Sequence, residues 1–241
     1  MNNLWLPLML TALSALPALI CLIILKIRRY PMNIIWFFVF LLGGALAIIP
    51  SALLQGLFPP FDASGVFQRR DLIVRIWTQI ALTEEAGKFL LLLPLILLMF
   101  HAEKGLEPAG EITEMNDKLR IARAGAAGFI AGLGFAIIET ATYSGANFSI
   151  ALLRAFTAAP LHAACGARVG QAVALLRHNP VQAVIRFITA VLIHGIYDFM
   201  VLSAGMPIVF PVALIAAVLF LALRQIARPS ELVDGVAAEN Q

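Results

Sequence analysis

The chain has 241 residues, of which 61% are hydrophobic and 13% charged, with a formal net charge of +3. Soluble domains usually carry about 25% charged residues, so the composition excludes an ordinary water-soluble enzyme. No basic stripe interleaved with aromatic residues occurs, which excludes a nucleic-acid groove; the positive balance lies in loops and reports orientation.

Apolar stretches recur along the chain and predict seven helical spans, at roughly 4–25, 34–57, 76–100, 121–143, 150–176, 181–203 and 207–226; each reaches the ~20 residues needed to cross a bilayer. Barrel strands would be shorter and alternate in polarity. The first span lacks a positive leading region and is followed by Lys26, Arg28 and Arg29, so it reads as a membrane helix and not as a cleaved signal. The same flank places the N-terminus outside and the first loop in the cytoplasm. Lys104, Lys118, Arg120 and Arg123, then Arg177, then Arg224 and Arg228 keep that orientation, whereas Arg69 and Arg70 depart from it. The segment 58–71 reads as an interfacial loop, 101–120 as a short surface helix, and 228–241 as a disordered polar tail. The expected fold is all-α: a polytopic membrane helical bundle forming a single integral membrane domain over 1–241, in contact with the lipid bilayer.

Charge is spread unequally over these spans. The first, second and seventh carry no ionisable residue in their middles and suit a lipid-facing support. The third to sixth hold Glu84, Glu85, Lys88, Glu139, Arg154, His162, Arg168, Arg186, His194 and Asp198. An Asp, Lys or Arg at a helix centre costs roughly 2.5–3.5 kcal/mol on insertion scales, so such groups should pair or line a wet interior. Four inner helices with a polar core follow.

In the third span, "EEAGK" sets Lys88 within reach of both Glu84 and Glu85. In the fourth, Glu139 follows Phe135 by one turn, after Gly125, Gly128, Gly132 and Gly134 at spacings that suit close helix packing. The fifth sets His162 a turn before Gly166, and the sixth sets His194 a turn before Asp198. With alternating helix directions, these groups occupy a band from about 6 to 18 Å below the outer surface and converge on one outward-opening cavity. Such a set suits activation of water by a carboxylate, and two histidines plus a carboxylate suit a catalytic zinc with one open position. Cys165 reads as a packing residue, and Ser144 and Ser203 lack a base; neither GxSxG nor HExxH occurs. A proton- or cation-coupled transporter is the rival class, weakened by the lack of an internal repeat, and a packing scaffold the third.

The ordered set "EEAGK" (84–88), "FAIIE" (135–139), "HAACG" (162–166) and "HGIYD" (194–198) resembles the four motifs of PrsW-type intramembrane proteases, distant relatives of the CAAX prenyl proteases. The resemblance covers residues 72–204 as the catalytic core, with one motif on each of four consecutive spans. It implies an intramembrane endopeptidase of the bacterial cytoplasmic (inner) membrane that cuts single-span or membrane-tethered proteins, such as anti-sigma factors. It also implies a mechanism that depends on a metal or a glutamate. On that reading Glu84 or Glu85 is the base. His162, His194 and Glu139 hold a divalent metal, zinc being one choice, or orient the water. Asp198 is a further ligand or a partner, Lys88 tunes the glutamate pair, and Phe135 and Gly166 complete the motifs.

Overall fold

The computed structural model describes residues 5–59, 69–103, 114–143, 147–203 and 205–239, and among them every regular element is helical. Seven helical stretches are long and apolar enough to cross a membrane: Met9–Ile27, Ile34–Gln55, Arg70–Ala102, Asp117–Tyr143, Phe148–Leu175, Pro180–Leu202 and Val209–Ile226. The expected all-α bundle of seven spans is therefore present.

Prolines break two of those spans, the second and the fifth. The second is two helices, α1 being Trp5–Ile27 before it, α2 Ile34–Leu46 and α3 Ile48–Gln55. Pro50 has no N–H for the Leu46 carbonyl, which accounts for the break at Ala47. The third runs as α4, Arg69–Arg75, a π-helical turn, Ile76–Ala81, and α5, Leu82–Glu103. The fourth is α6, Glu114–Tyr143. The fifth, expected as one helix, is α7, Phe148–Phe156, and α8, Ala158–Leu175, broken at Thr157 with φ −119° and ψ −65°. Pro160 withholds the donor for the Phe156 carbonyl there, and Thr157 Oγ1 donates to the Leu153 carbonyl at 2.8 Å. In α9, Pro180–Leu202, Pro180 occupies the first turn and the Asn179 side chain accepts from the Gln182 N–H.

Two surface expectations change. Residues from 114 onward extend α6 and do not form a separate surface helix, while 104–113 and the loop at 60–68 lie outside the described residues. The tail expected without structure continues the last helix, α10, Val209–Glu239, leaving 240–241 outside the described residues. Strong helix formers such as Ala237, Ala238 and Glu239 there oppose the pull of polar composition toward disorder.

The centre of the bundle is α6, with 78% of its spanning window buried, against 28% for the window of α9. It packs chiefly on α8, through glycines. A Cβ on Gly128 would overlap the Gly166 carbonyl, one on Gly132 the His162 carbonyl, and one on Gly170 the Ala124 carbonyl. Small residues at this spacing let two backbones touch, which is how helices associate where lipid removes the hydrophobic drive. Against α2 the same device recurs at Gly44 and Gly134. The charged spans do supply the polar interior, but unequally. The helix α9 contributes one edge with His194, while Val181, Val184, Ile188 and Leu192 on it are exposed.

Candidate active site

The π-helical turn delivers the first motif. It adds a residue to the helical turn just before Glu84 and Glu85, a device frequent at functional sites. Trp77 in that turn lies against Gly195 of α9, where a Cβ would collide with the indole ring. Lys88 Nζ then pairs with Glu85 Oε1 at 2.7 Å on the same helix, with both side chains fully buried. Lys88 also sits 4.4 Å above the centroid of the Phe135 ring.

The backbone contact between α6 and α8 brings the second and third motifs together. His162 Nε2 meets Glu139 Oε2 at 2.5 Å, and His162 Nδ1 lies 3.0 Å from Lys88 Nζ. An ammonium offers only donors, so Nδ1 accepts from Lys88 and Nε2 donates to Glu139. The other Glu139 oxygen accepts from Arg154 Nη2 at 2.8 Å. Phe135 packs tilted against the His162 ring at 5.1 Å between centroids, which gives the aromatic residue of the motif a supporting role.

The fourth motif closes the ring. His194 stands edge-on to His162, 4.9 Å between centroids. Its Nδ1 donates to Glu85 Oε1 at 2.7 Å. Its Nε2 faces Asp198 Oδ2 at 3.3 Å and Glu84 Oε2 at 3.7 Å. Glu85 thus fixes the Nδ1 tautomer, and Asp198, expected as a further ligand or a partner, shares the Nε2 side with Glu84.

Glu84, Glu85, Lys88, Glu139, His162 and His194 are all buried, while the Asp198 and Arg154 side chains keep 18% and 22% of their surface. Four carboxylates, counting Asp198, meet the two cations Lys88 and Arg154, leaving a formal charge of −2 when both imidazoles are neutral. Glu84 Oε2, Glu85 Oε2 and Asp198 Oδ2 are buried without a hydrogen-bond partner among the described residues. A neutral His194 would aim its Nε2 lone pair at two carboxylate oxygens, which is repulsive unless a proton or cation lies between.

That arrangement fits a divalent ion. Donor atoms of Glu84, His162 and His194 lie within 4.8 Å of one another, and imidazole with carboxylate is a set that suits zinc and similar ions. The ligand set expected from the motifs contained Glu139 in place of Glu84. Here Glu139 is engaged by His162 and Arg154, and Glu84 holds the ligand spacing. For His162 to serve as a ligand, one of its nitrogens must leave Lys88 or Glu139.

Gly166 packs against Gly128 and does not enter the site. Cys165 is fully buried, and its thiol donates to the Ala190 carbonyl at 3.6 Å. Ser144 lies outside the described residues, and Ser203 ends α9. Two functional neighbours escaped the sequence. Arg154 was visible only as a charge in a span. Gln55, whose Nε2 donates to Glu84 Oε1 at 3.4 Å, belongs to a span that looked purely lipid-facing.

Comparison with known families agrees with this geometry: the family model described as PrsW family intramembrane metalloprotease matches residues 31–223. No curated protein and no solved structure matches the chain.

Proposed function

The chain belongs to the PrsW family of intramembrane metalloproteases and is an integral membrane protease, and on that premise we propose how it acts and on what. Its substrates are single-span or membrane-tethered proteins, regulators such as anti-sigma factors among them. It works in the bacterial cytoplasmic membrane with its N-terminus outside and its C-terminus inside. The transporter reading no longer has a feature of its own to stand on, since the same buried carboxylates and histidines serve hydrolysis.

One observation carries the mechanism: Glu84 Oε2 is a buried carboxylate oxygen with no hydrogen-bond partner, turned toward His194. Glu85 also has an unpartnered Oε2, but its Oε1 is held at 2.7 Å by both Lys88 and His194, whereas Glu84 has only Gln55 at 3.4 Å among the described residues. Between the two glutamates left open by the sequence, Glu84 is therefore the less engaged and the one assigned to water. Glu84, His162 and His194 would hold a divalent ion. Such an ion, when bound, supplies Lewis acidity, making water more acidic and polarising a peptide carbonyl.

The remaining residues hold and orient. Glu85 accepts the Nδ1–H of His194 and keeps Nε2 turned to the reaction space. Glu139, anchored by Arg154, accepts the Nε2–H of His162, so Nδ1 is the nitrogen that would serve an ion once Lys88 releases it. Lys88 neutralises Glu85, so that the carboxylate can stay charged beside His194 in a buried site. Where water is activated by carboxylate alone, Glu84 is the base; where an ion activates it, Glu84 is a ligand. The test is cleavage of a single-span reporter by purified protein in proteoliposomes, with and without a chelator. Glu84→Gln should abolish cleavage in every case, and full cleavage by that variant refutes the assignment. Inhibition by the chelator and recovery on adding zinc selects the metal form.

A further inference from the structure

Arg168 and Arg186 lie inside spans yet face no carboxylate among the described residues. Arg168, on α8, is 7% exposed, and its acceptor among the described residues is the Ala164 carbonyl at 3.4 Å. Arg186 of α9, which is of like sign, is near enough to Arg168 to interact with it. Arg186 Nη1 donates to Gln225 Oε1 of α10 at 3.4 Å, and Gln171 Nε2 of α8 donates to the same oxygen at 3.0 Å. Gln171 Oε1 is buried and unpartnered. Two guanidiniums and two amides thus share a membrane-embedded cluster that contains no anion among the described residues.

A guanidinium carries five donors, so most of those here are unmet by protein. Intramembrane arginines face a polar interior or pair with anions or backbone carbonyls, and here the Ala164 carbonyl meets one donor of Arg168. Arg168 and Gln171 stand on α8, Arg186 on α9 and Gln225 on α10. The Cα atoms of the two arginines lie about 9–11 Å from the helix ends at the α8–α9 connection, so Arg168 reaches the interface by leaving the Ala164 carbonyl and snorkelling. The flanking surfaces are apolar and exposed: Val181, Val184 and Ile188 on α9, Phe220 and Leu221 on α10.

We propose that this cluster binds an anionic phospholipid of the leaflet on the α8–α9 side. Its phosphate is gripped by Arg168 and Arg186, and its acyl chains lie along α9 and α10. A phosphate oxyanion offers several acceptors to two planar forks, which is the pairing that arginine favours. The site lies apart from the four motifs and does not rest on the proteolytic reading, since its readout is lipid.

Native mass spectrometry of the purified full chain, released from nanodiscs holding equal phosphatidylglycerol and phosphatidylcholine, measures the retained lipid. The wild type should keep phosphatidylglycerol selectively. Arg168→Gln with Arg186→Gln should lower that selectivity about tenfold or more. Arg177→Gln, in the connecting loop outside the cluster, should leave it unchanged. If the double variant does not fold, the half-buried Arg186→Gln alone should still give a severalfold loss. Equal retention of both lipids by the wild type would overturn the proposal. So would undiminished selectivity in the arginine variants, an equal loss in Arg177→Gln, or displacement of the lipid by millimolar inorganic phosphate. Displacement by an acidic transmembrane peptide would overturn it in favour of a substrate carboxylate.

Discussion

Between α6 and α8 the bundle closes on bare backbone, with Gly128 and Gly132 set against Gly166, His162 and Ala163; between α5 and α9 it closes on charge, with Glu85 on His194 at 2.7 Å and Phe89 against Phe187. The first seam sets distance and the second sets chemistry. His162 and Glu139 belong to opposite sides of the glycine seam and can bond only because the two helices approach so closely. His194 belongs to the helix with an exposed outer face and is held by carboxylates. A packing motif and a catalytic motif are therefore one device here, since Gly132 determines where His162 stands.

The comparison predicts different failures on the two sides. The largest effect should come from Gly132→Leu, whose side chain has to displace the His162 backbone. Overpacking of a closed interior typically costs 1–3 kcal/mol, and contact with rigid backbone costs more. The expected outcome is loss of the folded bundle in a detergent thermal melt, with cleavage lost alongside it. A variant that stays folded and active would show that the seam is looser than described.

Next comes the charged seam. Glu84→Gln should lower cleavage by about 10²–10⁴-fold, as removal of a reacting carboxylate does. Its melting midpoint should shift by less than about 4 °C, because the substituted oxygen had no partner to lose. A large fall in stability would show instead that Glu84 holds the fold.

A smaller effect is expected at Arg154. It touches Glu139 and not the reaction space, so Arg154→Gln should cost about tenfold in kcat, partly restored by lysine. An unchanged kcat, or a loss that lysine does not relieve at all, would remove Arg154 from the positioning of Glu139. The smallest effect belongs to Cys165→Ala. Its thiol makes one weak, long hydrogen bond to a carbonyl, so activity should hold within about twofold and stability within about 1 kcal/mol. Inactivation by a thiol-alkylating reagent would contradict this.

Much of this layout is legible in the residues. Composition reveals the spans because lipid forbids unsatisfied backbone, and helices are then the remaining choice for long apolar runs. The four motifs are legible because ionisable residues in a membrane stand out against Leu and Ile. Pro50 and Pro160 announce the broken second and fifth spans, but a break placed in a continuous apolar run leaves hydropathy unchanged. Partnerships across helices are the harder part. Arg154 is one charge among ten until the turn at Thr157 aims it at Glu139, and Gln55 is one amide in an apolar span until α3 meets α5. The exchange of Glu139 for Glu84 near the histidines has the same origin. Depth along each helix could be counted, whereas rotation about each axis is set by the glycine contacts.

The most direct measurement is a double-mutant cycle on His162 and His194, reading reporter cleavage and melting midpoint together. The rings stand 4.9 Å apart and both face Glu84 within ligand spacing. If they form one site, either alanine substitution should remove nearly all activity, and the double substitution should cost little more, as for residues that act as a unit. Partial losses that add in free energy, with falling stability as the main change, would mean two separate packing histidines and no shared centre.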